Sequence, residues 1–260
     1  MLAIAIEAAR TAGKFLRQNV GKIRSIQLKG GESKNLVTEI DKRSEEMIIS
    51  LLKRHYPGHE ILAEEGGMQK TGNSDYRWVI DPLDGTTNFT HGFPVYCVSI
   101  GLERRGEVIL GVIYDPNHDE LFTAEKGKGA FLNGKQIRVS AGATLERGML
   151  VTGFPYNIAE NPNRAIERFI SFLMKAQAVR RMGSAAIDLA YVAAGRYEGF
   201  WEVDLNPWDM AAGTLLVTEA GGKVTSFDGG DFSIYRKDII ASNGLVHEEM
   251  LALLRSVSGG

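Results

Sequence analysis

A layered αβαβα sandwich is the fold this sequence predicts. It mixes α+β and α/β character: an antiparallel N-terminal sheet, a mixed C-terminal sheet, and helices packed between and around them. Three features predict it. Two amphipathic helical patterns come first; residues 60–140 follow as consecutive short β-rich runs broken by turns; beyond about residue 145, strands and helices alternate. The change in texture sets an expected division into an N-terminal α+β domain over 1–145, which holds most of the acidic motifs, and a C-terminal α/β domain over 146–260 that completes the site.

The first helix is read from a polar stripe at positions 7, 10, 11, 14, 17 and 18, with Leu2, Ile6, Ala9, Gly13 and Leu16 opposite. Glu7 and Arg10 inside this stretch, and the lack of a basic lead, argue against a signal peptide. A second helix opens at Thr38-Glu39-Ile40-Asp41, an S/T-x-x-D cap pattern. It carries Ile40, Met47, Ile48, Leu51 and Leu52 on one face and stops before Pro57-Gly58. The runs EILAEE, RWVID, PVYCVSIGLE, EVILGVIYD, ELFTAEK and AFLNGKQIRVS predict a meander, with turns at Arg105-Gly106, Lys126 to Gly129 and Asn133-Gly134. Next come strand MLVTG, helix NRAIERFISFLMKA, strand AVRRM, helix SAAIDLAYVAAG opened by Ser184, and strand EGFWEV. Helix PWDMAAGTLLVTEAGG has Asn206 as its cap and Pro207 at its first position; strands KVTSF and DIIAS and helix HEEMLALLRSV close the chain.

Composition narrows the function classes. Of 260 residues, 44% are hydrophobic and 24% charged, and the formal net charge is −2, so no cationic footprint for nucleic acid exists. No apolar run approaches bilayer length, so no membrane partner is expected. One cysteine, Cys97, rules out an internal disulfide and fits a reducing cytoplasm. The histidines at 55, 59, 91, 118 and 247 show no zinc spacing, so any bound metal would be held by oxygen, which favours Mg²⁺.

Candidate chemistry lies in acids near element ends: Asp41, Glu64, Glu65, Asp81, Asp84 and Asp209. EILAEE ends in Glu64-Glu65 and RWVID in Asp81; if these strands are neighbours, the acids converge at one edge, where like charges stay ionised only beside cations. In DPLDGTTNF, Asp81 sits at the strand end, Pro82 sets the backbone direction, Leu83 offers only its carbonyl, and Asp84 returns after a turn. Gly85 permits a tight turn, and if Thr86 opens a helical turn, the N–H groups of Gly85 and Thr86 face an anion. Cations beside an anion cradle describe a phosphate site. Bland readings compete: Asp84-Gly85 as a surface turn, Asp41 as a cap, Asp209 as a helix-dipole partner, Glu64-Glu65 as a solvated loop, Glu202 as a strand-face charge.

Taken together, AEEGG (63–67), DPLDGTTNF (81–89) and PWDMAAG (207–213) resemble the inositol monophosphatase family of the lithium-sensitive, Mg²⁺-dependent sugar phosphatases. NLVTEIDKRSEE, FPVYCVSIGL, KGKGAFLNG, RRMGSAAIDLAYVAAG and VTEAGG extend the likeness essentially end to end. The resemblance implies hydrolysis of inositol-1-phosphate-type polyol phosphates with two or three Mg²⁺. It makes Glu64, Asp81 and the Leu83 carbonyl one metal site, and Asp81, Asp84 and Asp209 a second. It casts Glu64 and Thr86 as the pair that orients and deprotonates water, with Asp41 behind Thr86 and Glu65 supporting. Gly85 and Thr86 become the phosphate cradle, Gly183, Ser184 and Ala185 the lining of the substrate ring, and Glu202 the acceptor for a substrate hydroxyl. A lysine from the loop before the second helix, Lys29 or Lys34, and a homodimer with Arg180-Arg181 near its contact are also implied. Rival readings are a related phosphatase for fructose-1,6-bisphosphate, histidinol phosphate or 3′-phosphoadenosine nucleotides, and a non-catalytic regulator binding a phosphometabolite. An aspartyl-phosphate mechanism would need D-x-D-x-T, whereas this chain has D-x-x-D-G-T.

Overall fold

The computed structural model describes residues 1–22, 26–28, 36–72 and 74–258. Lys29 and Lys34 lie outside the described residues. After helix α1 (Leu2–Asn19), strands β1 (Ile26–Leu28) and β2 (Leu36–Thr38) pair antiparallel, and β2 leads directly into α2 (Glu39–His55). A large sheet follows: β3 (Glu60–Ala63), β4 (Gly67–Gln69), β5 (Tyr76–Asp84), β6 (Cys97–Arg104), β7 (Glu107–Asp115), β8 (Glu120–Glu125), β9 (Ala130–Leu132) and β10 (Lys135–Ile137), with the short helix α3 (Thr86–Thr90) between β5 and β6. Its order is β10-β9-β8-β7-β6-β5-β3-β4. The second sheet is built from β11 (Met149–Thr152), β12 (Ala178–Arg180), β13 (Gly199–Val203), β14 (Lys223–Thr225) and β15 (Asp238–Ser242), in the order β12-β11-β13-β15-β14. Its helices are α4 (Ala165–Lys175), α5 (Ala185–Ala193), α6 (Pro207–Glu219) and α7 (His247–Ser258).

Five layers result. α1 and α2 cover one face of the large sheet, α5 and α6 lie between the sheets, and α4 and α7 cover the outer face of the smaller one. Each layer contact follows from composition. α1 presents Ala5, Ala8, Ala9, Ala12 and Leu16, and its Gly13 lies so near the Tyr114 ring that a Cβ there would stand 2.5 Å from it. α6 buries every residue from Met210 to Val217, as a helix enclosed by two sheets must. Outside, Phe172 of α4 stacks on Trp201 of β13 with centroids 3.9 Å apart.

The large sheet is antiparallel throughout except for one pair: β3 and β5 run parallel. The chain leaves β3, pairs back along its outer edge as β4, and returns to start β5 on the inner edge. Both strands therefore end at the same place. Glu64 N–H donates to the Ile80 carbonyl at 3.1 Å, which sets Glu64 beside Asp81. Strands β1, β2 and β4 carry no signal in the sequence, since each is only three residues long and too short to show a period.

Candidate active site

Residues three apart on a regular strand point to opposite faces. Asp81 and Asp84 do not, because the register slips between them: Asp81 pairs with Ser99 and Asp84 with Cys97. Three steps on β5 thus match two on β6, a bulge that returns both carboxylates to one side. Pro82, without an N–H to give the ladder, suits the break. Gly85 ends the strand at φ +97°, where a Cβ would also lie 2.8 Å from the Val95 carbonyl. α3 then starts at Thr86.

One face of α2 holds this region in place. Thr38 and Asp41 form a capping box, so Asp41 is fixed by its own helix start. The other Asp41 oxygen accepts the Thr86 hydroxyl at 2.9 Å. Ser44 donates to the Pro82 carbonyl at 2.9 Å, and Glu45 accepts the Glu65 N–H at 2.9 Å. Thr86 Oγ1 also lies 3.1 Å from the Leu83 carbonyl. Its single proton goes to the Asp41 carboxylate, leaving the oxygen lone pairs free to accept.

From the other half of the chain, Asp209 sits in the first turn of α6 and accepts the Asn206 N–H at 2.7 Å. Ser184 Oγ and the Ala186 N–H bond Asp84 at 2.7 and 2.6 Å. Asn88 of α3 donates to the carbonyls of Val95 and Met182, both at 2.8 Å, and so ties the Gly183-Ser184-Ala185 segment to the β5 bulge.

These parts surround a cavity of about 280 Å³. Its lining includes Glu64, Asp84, Gly85, Thr86, Gly183, Ser184, Ala185, Glu202 and Asp209. Asp81 is buried just behind them, with its Oδ1 accepting the Leu83 N–H at 2.9 Å. Asp41 is fully buried behind Thr86 and does not reach the cavity wall. Glu65 likewise stands outside the lining.

Electrostatics reflect the crowding. Burial, then the charges of Glu64, Asp84 and Asp209, push Asp81 well above the usual carboxylate range. Burial, Glu64 and Asp84 do the same to Asp209. Burial raises Asp84 to about 6, against the hydrogen bonds from Ser184 and Ala186. Glu202 rises to about 8 through burial, with Arg181 opposing. Burial also raises Asp41, against its bonds from Thr38 and Thr86. A cation among these carboxylates reverses the penalty, and an all-oxygen donor set fits a hard divalent ion. Among the described residues, no three His, Cys, Asp or Glu side chains close into a cage by themselves; the acids ring the cavity instead.

Gly153, Tyr156 and Asp188 line the cavity without being among the expected residues, and Arg181, expected near a dimer contact, lines it too. Asp188 had a usable signal, one helical turn after Ser184. Gly153 had none, because its role rests on contact with Glu202, forty-nine positions away: a Cβ on Gly153 would lie 2.1 Å from Glu202 Oε1.

Carboxylates from both halves of a five-layer fold, meeting beside a hydroxyl held by its own acid, define the class of metal-assisted phosphate-ester enzymes. A profile of the inositol monophosphatase family matches residues 1–258. The chain is 45% identical to an inositol-1-monophosphatase of Synechocystis over 249 residues, 96% of this chain and 86% of that protein. It is 44% identical to the Nus factor SuhB of Pseudomonas aeruginosa over 259 residues, 98% and 96% of the two chains. The structure of the extragenic suppressor protein suhB from Bartonella henselae superposes with a TM-score of 0.93 at 41% identity, covering 97% of each chain. The chain belongs to the inositol monophosphatase family.

Proposed function

We propose that this protein is a Mg²⁺-dependent phosphomonoesterase that hydrolyses inositol-1-phosphate-type polyol phosphates to the alcohol and phosphate. The observation that carries this reading is the meeting of Glu64, Asp84 and Asp209, from three separate segments, on one cavity with Asp81 directly behind. Bound Mg²⁺ would supply charge for the attacking and leaving oxygens. Glu64, Asp81, Asp84, Asp209 and the Leu83 carbonyl are the groups that would hold two or three such ions. Thr86, its proton committed to Asp41, accepts a hydrogen bond from water and aligns it, and Glu64 is the base that takes the water's proton. The N–H groups of Gly85 and Thr86 orient the phosphate, while Gly183, Ser184, Ala185 and Glu202 receive the alcohol. The N-terminal part, 1–145, contributes the bulge and α2; the C-terminal part, 146–260, closes the site.

Phosphate release from inositol-1-phosphate, fructose-1,6-bisphosphate and histidinol phosphate tests the reading and ranks the substrates. Inositol-1-phosphate is expected to lead, EDTA to abolish turnover, and Li⁺ to inhibit. Asp81→Asn and Asp84→Asn are each expected to remove activity while the circular dichroism spectrum stays native; full activity in either variant refutes the assignment. The name of the SuhB relative supports a second, regulatory reading, but an intact set of acids favours catalysis. A homodimer is supported by Ile166, Ile170 and Leu173, exposed along α4, and sedimentation equilibrium checks it. Among the described residues no helix is long and apolar enough to cross a membrane. The buried thiol of Cys97 suits the cytoplasm, where thiols stay reduced.

A further inference from the structure

We propose that Asp188, on α5, is a second hydroxyl-binding residue of the cavity, paired with Glu202, and that it favours phosphate esters of polyhydroxy alcohols. The inference rests on the phosphomonoesterase reading and adds a specificity-determining residue to it. Asp188 lines the cavity yet is 1% exposed, and its Oδ1 is buried without a hydrogen-bond partner. An unsatisfied buried oxygen forfeits the hydrogen bonds it makes to water in the unfolded chain, and a place in the first turn of a helix does not offset that loss.

The donors of its own helix turn are engaged elsewhere. Ser184 Oγ and the Ala186 N–H serve Asp84, the Ile187 N–H reaches back to Ser184 Oγ at 3.4 Å, and the Asp188 N–H goes to the Ser184 carbonyl at 3.0 Å. Arg181 in the same wall and the buried Tyr197 hydroxyl act on Asp188 electrostatically, yet neither bonds its Oδ1, which leaves the cavity as the side from which a partner can come. Glu202 stands in the same wall on β13, with space for its carboxyl left by Gly153. Two carboxyl groups in one wall suit a ligand with several hydroxyls and give nothing to an aromatic or alkyl alcohol. Burial, then Glu202 and Asp84, raise the Asp188 carboxyl above the usual range, against Arg181, and a protonated carboxyl can donate as well as accept.

Wild type, Asp188→Ala and Asp188→Asn are compared on inositol-1-phosphate and on phenyl phosphate, which lacks hydroxyls. Binding of myo-inositol in the presence of inorganic phosphate is followed by calorimetry. The ratio of kcat/KM for the two esters is expected to fall about tenfold in Asp188→Ala, mainly through KM, with a smaller fall in Asp188→Asn. Inositol binding weakens in parallel, and Tm does not drop. A ratio equal to that of wild type, with inositol binding unchanged, overturns the proposal; a fallen Tm with that same ratio identifies a packing role instead. Absence of phosphate release from either ester by wild type would count against the enzyme itself, and inositol binding would then decide the role of Asp188: weaker binding in Asp188→Ala supports it, and unchanged binding overturns it.

Discussion

At the scale of single residues, the contact between Gly153 and Glu202 shows how little room the site leaves. With a methyl group at Gly153 the Glu202 carboxyl has to move. Gly153→Ala is therefore expected to raise KM for inositol-1-phosphate several-fold while leaving the Mg²⁺ requirement as it was, as steady-state kinetics across a metal titration would show. Glu202 also gives the metal-free protein a pH dependence. Its pKa, about 8 in the folded protein against an ordinary 4.5, means that the unfolded chain loses this proton first. The stabilisation from the protonated group is complete below about pH 4.5 and disappears as pH rises through about 8. In EDTA, Glu202→Gln is expected to lose less stability than wild type between pH 5 and pH 8 in urea melts. Acids at strand and helix ends were legible in the sequence because their positions follow from local patterning. Gly153 was not, because the meaning of a glycine lies in what approaches it, and here that group comes from another strand of the second sheet.

Among the elements, α2 braces the C-terminal end of β5 and the turn that follows it. Asp41, Ser44 and Glu45 occupy positions i, i+3 and i+4, one face of the helix, and reach Thr86, the Pro82 carbonyl and the Glu65 N–H. Thr38→Ala removes the side chain that accepts from the Ile40 and Asp41 N–H groups. It is expected to cost about 1 kcal/mol in chemical denaturation. It should also lower kcat more than it changes KM, since Asp41 then drifts from Thr86. The cap pattern of α2 was readable from Thr38 and Asp41. The roles of Ser44 and Glu45 shared the same helical spacing but required the β3–β5 pairing, a long-range contact that local patterning does not encode. α3 was foreseen only as a conditional turn at Thr86, since five residues are too few to carry a period.

For the whole molecule, the decisive arrangement is α6 wedged between the sheets with Asp209 at its leading end. Gly101 and Gly111 of the large sheet lie under Ala211 and Ala212, where added Cβ atoms would come within 2.8 and 2.7 Å. Gly111→Val is expected to lift α6 and draw Asp209 away from Asp84. The expected result is a loss of about 1–3 kcal/mol in stability and a higher Mg²⁺ concentration for half-maximal rate. The layered architecture was legible because two regimes of periodicity succeed each other along the chain. The parallel placement of β3 against β5 was not, because it depends on the three-residue excursion of β4. The surplus residue between Asp81 and Asp84 bears on the protein's evolution by length change. Removing Leu83 alone would cancel the bulge: two steps would then face two, both carboxyls would still share a side, and a core side chain would be lost together with the carbonyl that Thr86 meets. A shortened chain at this spot is thus expected to cost stability as well as turnover, whereas the exposed hairpin turn at Gly106 tolerates a change of length far better.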